Sequence, residues 1–268
     1  MSDTELDALV TAVTAATKYR CISPDLIRRI GTRELAVRRS TKEAIKATKN
    51  KLHQIGAAYQ PGRINYKKAK ELLLAAADLP DALEEAALAV MQLHTSTNER
   101  LSILPDFYAQ IFAHLPPIHS VLDLACGLNP LAVPWMRPAA GVTYFACDIY
   151  TDMMQFLAEV FPLFGVQGKF EVRDVVGQPP DQPVDLALIL KTLPVLDQVD
   201  KTAVPRLFDT LQAAHLLVTF PVRSLGGRGK GMVSHYTRQL ETWVDGRSWQ
   251  TQRLEFETEL AFLITCQS

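Results

Sequence analysis

Two periods divide the hydrophobic positions of this chain. Over residues 1–93 apolar side chains recur at helical spacing. Leu26, Ile27 and Ile30 share one face behind Ser23 and Pro24, an N-cap residue followed by a proline at the first helical position. Ser40, Thr41, Lys42 and Glu43 read as a capping box, in which Ser40 takes the Glu43 amide and Glu43 reaches back. Pro61 and Gly62 interrupt the pattern, and helical segments resume over 66–74 and 81–93. From His119 the texture changes to short apolar runs at 120–124, 142–147, 169–172, 184–190 and 215–220, separated by helical stretches. That alternation predicts βαβ units and a mostly parallel sheet. The stretches 249–256 and 259–265, joined through Glu257 and Thr258, predict an antiparallel hairpin. The expectation is an α/β protein in two parts, a smaller all-helical unit over 1–93 and a seven-stranded unit over 94–268.

Composition narrows the class without naming it. With 268 residues, 48% hydrophobic and 21% charged, the chain is ordinary for a globular protein with a proper core. No apolar run approaches the ~20 residues of a membrane-spanning helix. Ser2, Asp3, Thr4 and Glu5 do not form the basic start of a secretory signal, so a cytoplasmic protein is expected. Cys21, Cys126, Cys147 and Cys266 lie far apart with no Cys-x-x-Cys pair, which fits reduced thiols better than a zinc site or a disulfide frame.

Charge changes the picture more. Through Lys70 there are 15 Lys and Arg against 6 Asp and Glu, whereas the remainder holds 13 against 23. A basic front on an acidic body is expected to meet a polyanion, with nucleic acid the leading choice. Lys42, Lys46 and Lys49 fall at i, i+4 and i+7, on one helix face. Phosphates would relieve their mutual repulsion; solvent and salt are the plainer alternative.

The candidate chemistry sits at the strand ends. The run VLDLACGLNP at 121–130 ends a buried strand, and Ala125, Cys126 and Gly127 supply small side chains where backbone must pass close to a ligand. The Gly-x-Gly-x-x-Gly cradle of a dinucleotide fold is missing, which favours a cofactor without a pyrophosphate over NAD. Five alternating units plus a terminal hairpin is also the arrangement of class I, Rossmann-like methyltransferases. S-adenosylmethionine is therefore the expected cofactor. Asp148, about 20 residues past the loop, is placed to accept ribose hydroxyls, although a strand-end Asp also serves as a helix cap. Asp174, after the third strand, is placed to meet an adenine amino group.

Three further runs carry polar chemistry. LKTLP at 190–194 follows the fourth strand, where substrate-facing groups are placed, and it is neither an Asn-Pro-Pro-Tyr motif nor a Cys nucleophile. Cys126 reads as a buried, inert thiol. HTSTNERL at 94–101 joins the two parts; Ser96 and Glu99 read as a capping box, and Arg100 offers a fork of donors suited to the methionine carboxylate. FPVRSLGGRGKGM at 220–232 places Arg223, Arg228 and Lys230 among four glycines, a cationic loop suited to a substrate or to RNA phosphates.

At the runs 94–101, 121–130, 190–194 and 224–232 the chain resembles the aminoglycoside-resistance 16S rRNA methyltransferases that modify a decoding-site guanine at N7. The resemblance implies that His94, Thr95, Ser96 and Arg100 line the cofactor pocket, with Ala125 on the loop. It implies that Asp148 holds the ribose and that Asp174 and Val175 hold the adenine, with Leu190 nearby. Tyr59 matches an aromatic near the cofactor, and Gln198 is the nearest match to a cofactor-contacting Gln. The helical front is implied to dock on 16S rRNA in the assembled 30S subunit, the chain acting as a monomer without a general base. Resistance to kanamycin and gentamicin is implied as well. The rival readings are a methyltransferase for a neighbouring adenine N1, a ribosome-binding protein that keeps the fold without turnover, and a small-molecule methyltransferase, which the basic front disfavours.

Overall fold

A computed structural model describes residues 3–57, 62–222 and 231–266. Tyr59, Arg223, Arg228 and Lys230 lie outside the described residues. Seven strands form one sheet: β1 (Ser120–Leu124), β2 (Thr143–Asp148), β3 (Gln167–Val172), β4 (Val184–Leu190), β5 (Ala213–Pro221), β6 (Trp249–Glu255) and β7 (Glu259–Cys266), in the order β3-β2-β1-β4-β5-β7-β6. The first five pair in parallel, whereas β7 runs antiparallel between β5 and β6. The hairpin therefore folds its last strand inward, and burial runs accordingly: β7 is buried over its first six residues, while β6 at the edge is exposed at most positions. Strand β2 reaches one residue further than its apolar run, because Asp148 pairs in register with Val172.

The sheet's pleat separates two cores. Val121 and Tyr144 face one side, Leu122 and Leu124 the other, as alternation in a strand requires. On the second side lie α10 (Leu193–Val199), α11 (Ala203–Thr210) and α12 (Met232–Val244). On the first lie α7 (Leu104–Phe112), α8 (Val133–Met136) and α9 (Thr151–Val160), together with the helical front. That front comprises α1 (Asp3–Thr14), α2 (Pro24–Val37), α3 (Thr41–Leu52), α4 (Tyr66–Ala75) and α5 (Pro80–Met91), with α6 (Thr95–Arg100) as the link. Leu9, Leu26, Leu52 and Leu73 of the front belong to the same hydrophobic cluster as Tyr144, Met153 and Leu157.

Local signals are partly realised. Pro24 opens α2, but the Ser23 side chain makes no cap; its backbone N–H donates to the Ile149 carbonyl at 2.7 Å, beside an antiparallel bridge between Ile22 and Tyr150. Ser40 does cap α3, accepting from the Glu43 amide at 3.3 Å. The capping box expected at Ser96 and Glu99 is not formed. Helix α6 begins at Thr95 behind His94, and the Glu99 carboxylate is drawn instead to Lys191 at 2.8 Å.

Candidate functional site

At the carboxyl ends of β1, β2 and β4 the chain turns sharply. Ala125 (φ 50°), Gly127 (φ 54°) and Lys191 (φ 58°) all adopt left-handed backbone, which is strained for the two that carry a Cβ. At Gly127 a side chain is also excluded by space, since a Cβ would lie 2.8 Å from the His94 ring. These turns border a cavity whose wall includes His94, Ser96, Ala125, Asp148, Asp174, Val175 and Leu190. Seven of the residues anticipated from sequence thus meet in one place.

Asp148 is the most constrained of them. Its carboxylate accepts the Gly127 N–H at 2.9 Å and the Ile149 N–H at 2.6 Å, fastening the turn after β1 to the end of β2. Burial raises its pKa to about 6, against the pull of those backbone donors. His94 moves the other way: burial, with Lys191 and Arg100 nearby, lowers it to about 4, so its imidazole is neutral at pH 7. Asp174 is ion-paired with Arg29 of α2 through Nε and, at 3.0 Å, through Nη2, and also accepts the Val176 N–H at 3.2 Å. The Cys126 thiol is buried and pushed well above its ordinary pKa by that burial, so it is no nucleophile.

Other anticipated residues lie elsewhere. Thr95 is half-buried in the first turn of α6 and is absent from the cavity wall, and Gln198 is exposed on α10. Arg100 is the clearest departure. It is 1% exposed, its Nε contacts Glu259 at 2.8 Å, and its Nη1 donates to Asn129 at 2.8 Å. Glu259 also meets Lys191 at 3.3 Å, and Asn129 donates to Asp123 at 2.8 Å. Arg100 therefore ties β7 to the turn after β1 and lies off the cavity wall, with its fork already taken by protein acceptors.

The cavity wall also holds residues that the sequence did not single out. Ile149 and Tyr150 follow Asp148 directly, so position just past a strand end was the available signal; Lys191 and Thr192, also on the wall, belong to the run at 190–194 already marked for substrate-facing groups. Leu26, Arg29 and Gly56 come from the helical front, where no local pattern marks them. Gly56 packs so closely that a Cβ would sit 2.8 Å from the Tyr150 hydroxyl.

Away from the cavity, Lys42 and Lys46 are exposed on α3, Lys49 is half-buried, and none makes an ion pair among the described residues. Much of the front's remaining charge is met within the chain. Arg29, Arg33 and Lys70 pair with Asp174, Asp200 and Glu159 of the sheet unit, and Lys51 and Arg38 share the buried Glu34.

The profile of the ribosomal RNA methyltransferase (FmrO) family matches residues 15–263. This chain belongs to that family. The methyltransferase is 37% identical over 268 residues to a 16S rRNA (guanine(1405)-N(7))-methyltransferase of Micromonospora rosea, covering 98% of this chain and 97% of that one. It is 38% identical over 263 residues to a protein of the same name from Serratia marcescens, covering 96% and 97%. Among solved structures it is similar to the 16S rRNA methyltransferase RmtF in complex with S-adenosyl-L-homocysteine, with a TM-score of 0.87 and 30% identity over the whole of both chains.

Proposed function

We propose that the cavity binds S-adenosylmethionine and that this methyltransferase modifies N7 of guanine 1405 of 16S rRNA, as a monomer on the assembled small ribosomal subunit in the cytoplasm. The observation that carries the reading is likeness to enzymes of that name along nearly the whole length of both chains. The cavity fits the cofactor on its own chemistry. A carboxylate offers about four acceptor sites. The backbone N–H groups of Gly127, Ile149 and Tyr150 bear on Asp148, and its remaining acceptor capacity suits a ribose hydroxyl. Val175, Val176 and Leu190 give an apolar wall for a flat base, and Asp174 supplies an acceptor beside it. Neutral His94, Ser96 and the backbone at Ala125 border the remaining length.

When bound, S-adenosylmethionine supplies an electrophilic methyl group on a positive sulfur. Guanine N7 has an in-plane lone pair and no proton, so the acceptor needs no base. The chain's task reduces to alignment and exclusion of water. Buried neutral His94 and the high-pKa Cys126 agree with that division of labour, since neither is poised to shuttle a proton. Lys42, Lys46 and Lys49, with Arg223, Arg228 and Lys230, are the cations we assign to rRNA phosphates, and drawing the guanine from its helix is the cost they help offset.

Transfer of radiolabelled methyl groups to purified small subunits tests the reading, followed by borohydride and aniline cleavage. Label in 16S rRNA with strand scission at one guanine is expected. Scission absent while an adenine N1 block appears on primer extension would favour the neighbouring-adenine reading, and no label at saturating cofactor would remove the enzymatic one. Cells expressing the chain are expected to survive kanamycin and gentamicin while staying sensitive to apramycin.

A further inference from the structure

We infer that Arg29 is a positioning residue for the cofactor: from the helical front it fixes the carboxylate of Asp174 for the adenine amino group. The inference rests on the reading of the cavity given above. Arg29 and Asp174 are 145 residues apart, yet they form a two-donor ion pair and both belong to the cavity wall. Oδ2 takes the Arg29 Nε, while Oδ1 takes Nη2 at 3.0 Å and the Val176 N–H at 3.2 Å. Of about four acceptor sites on a carboxylate, three are thereby filled. The planar fork of the guanidinium holds the carboxylate in one plane, which a point charge would not do. The remaining acceptor site is left for a ligand amine.

Two other features are built around this pair. Gly177 stands where a Cβ would fall 2.9 Å from Asp174 Oδ2 and 3.3 Å from Arg29 Cδ, so the absence of a side chain admits the guanidinium. The segment leading into α2 is fastened to the cavity rim by the Ile22–Tyr150 bridge and by the Ser23 N–H on the Ile149 carbonyl. Arg29 is thus delivered from an anchored helix. Its Nη1 is buried without a hydrogen-bond partner among the described residues, an arrangement that stability alone does not favour.

Calorimetric titration of the full chain with S-adenosylhomocysteine tests this, using Arg29→Ala, Arg29→Lys, Asp174→Asn and the Arg29→Ala/Asp174→Asn double variant. Arg29→Ala is expected to weaken binding by about tenfold to a hundredfold, the range for a hydrogen bond to a charged group. Arg29→Lys should recover part of that loss, because one donor and the charge return. The double variant should bind no more weakly than Asp174→Asn alone, the sign of a residue acting through another. Hydrogen exchange should show α2 amides protected by the ligand in the wild type and less so in Arg29→Ala. Wild-type affinity in Arg29→Ala, or losses that simply multiply in the double variant, overturns the inference. Should Arg29→Ala not fold, Arg29→Lys decides: binding several-fold weaker than wild type is expected, and wild-type affinity overturns the proposal. A wild-type chain that does not bind S-adenosylhomocysteine at all overturns the cavity reading itself, and this inference with it.

Discussion

In the proposed cofactor site Asp148 would do two opposed things: lie buried beneath backbone N–H groups and stay ionised for ribose hydroxyls. Burial raises its pKa to about 6, so as pH falls through 6 it protonates and loses acceptor capacity. S-adenosylhomocysteine affinity is therefore expected to drop below about pH 6 in the wild type and to stay flat, though weak, in Asp148→Asn. A pH series of titrations checks this, and parallel curves for the two proteins would refute it. Stability of the free chain runs the other way. The raised folded pKa penalises the charged form, so this group's contribution is largest below the ordinary carboxylate range and is lost as pH rises through 6. Asp123, raised to about 7, acts in the same direction, whereas His94, lowered to about 4, opposes both. Beside Asp148, Gly127→Ala is expected to destabilise by about 1–3 kcal/mol, because left-handed backbone and the His94 ring both reject a Cβ. An unchanged thermal midpoint would count against that packing. Arg100 and Lys191 share the fully buried Glu259, so Glu259→Gln should cost about 3 kcal/mol or more in urea unfolding, by leaving cations uncompensated in the interior.

At the scale of elements, α3 is where the proposed RNA contact can be tested apart from the cofactor. Lys42, Lys46 and Lys49 lie along it, while Ala44, Thr48 and Leu52 hold its other face in the core. Changing the three lysines to glutamine should weaken small-subunit binding and lower its log–log salt slope by about two, at about 0.7 per phosphate contact. Cofactor affinity should not move. A slope equal to wild type would return α3 to the status of a solvated face. Elements differed in how far sequence exposed them. Of the parallel strands, β1, β4 and the later part of β5 were readable because strands buried on both faces are near-continuous apolar runs, whereas β3 at the sheet edge is largely exposed and begins two residues before its apolar run. The fate of α6 was not. Ser96 and Glu99 have capping-box spacing, but Lys191 lies next to them only in three dimensions, and a buried cation outbids an exposed cap for the Glu99 carboxylate. Arg100 has the same explanation: its partner Glu259 is 159 residues away.

At the scale of the whole molecule, the helical front and the sheet unit are chemically distinct but share one core and, among the described residues, three cross-boundary ion pairs. Removing residues 1–93 would uncover the faces of Met153, Phe156 and Leu157 that the front covers. The remainder is expected to lose cooperative unfolding and near-ultraviolet signal; a sharp transition in that fragment would show the sheet unit to be self-sufficient. The charge asymmetry between the halves also acquires a second meaning here. Part of the front's basic excess seats it on its own acidic body, while the lysines of α3, like Arg39, Arg63 and Lys68, make no ion pair among the described residues. The sequence by itself determined the order of helices and strands, the phosphate-free turn at 121–130, and the acid at the end of β2. Those properties are encoded by periodicity and spacing along a short stretch. Only the tertiary structure decided that Arg100 is a structural tie, that Gln198 faces solvent, and that Arg29 and Gly56 of the front complete the cavity. Those outcomes depend on how segments distant in the chain pack together, and burial strengthens such meetings far beyond anything local spacing records.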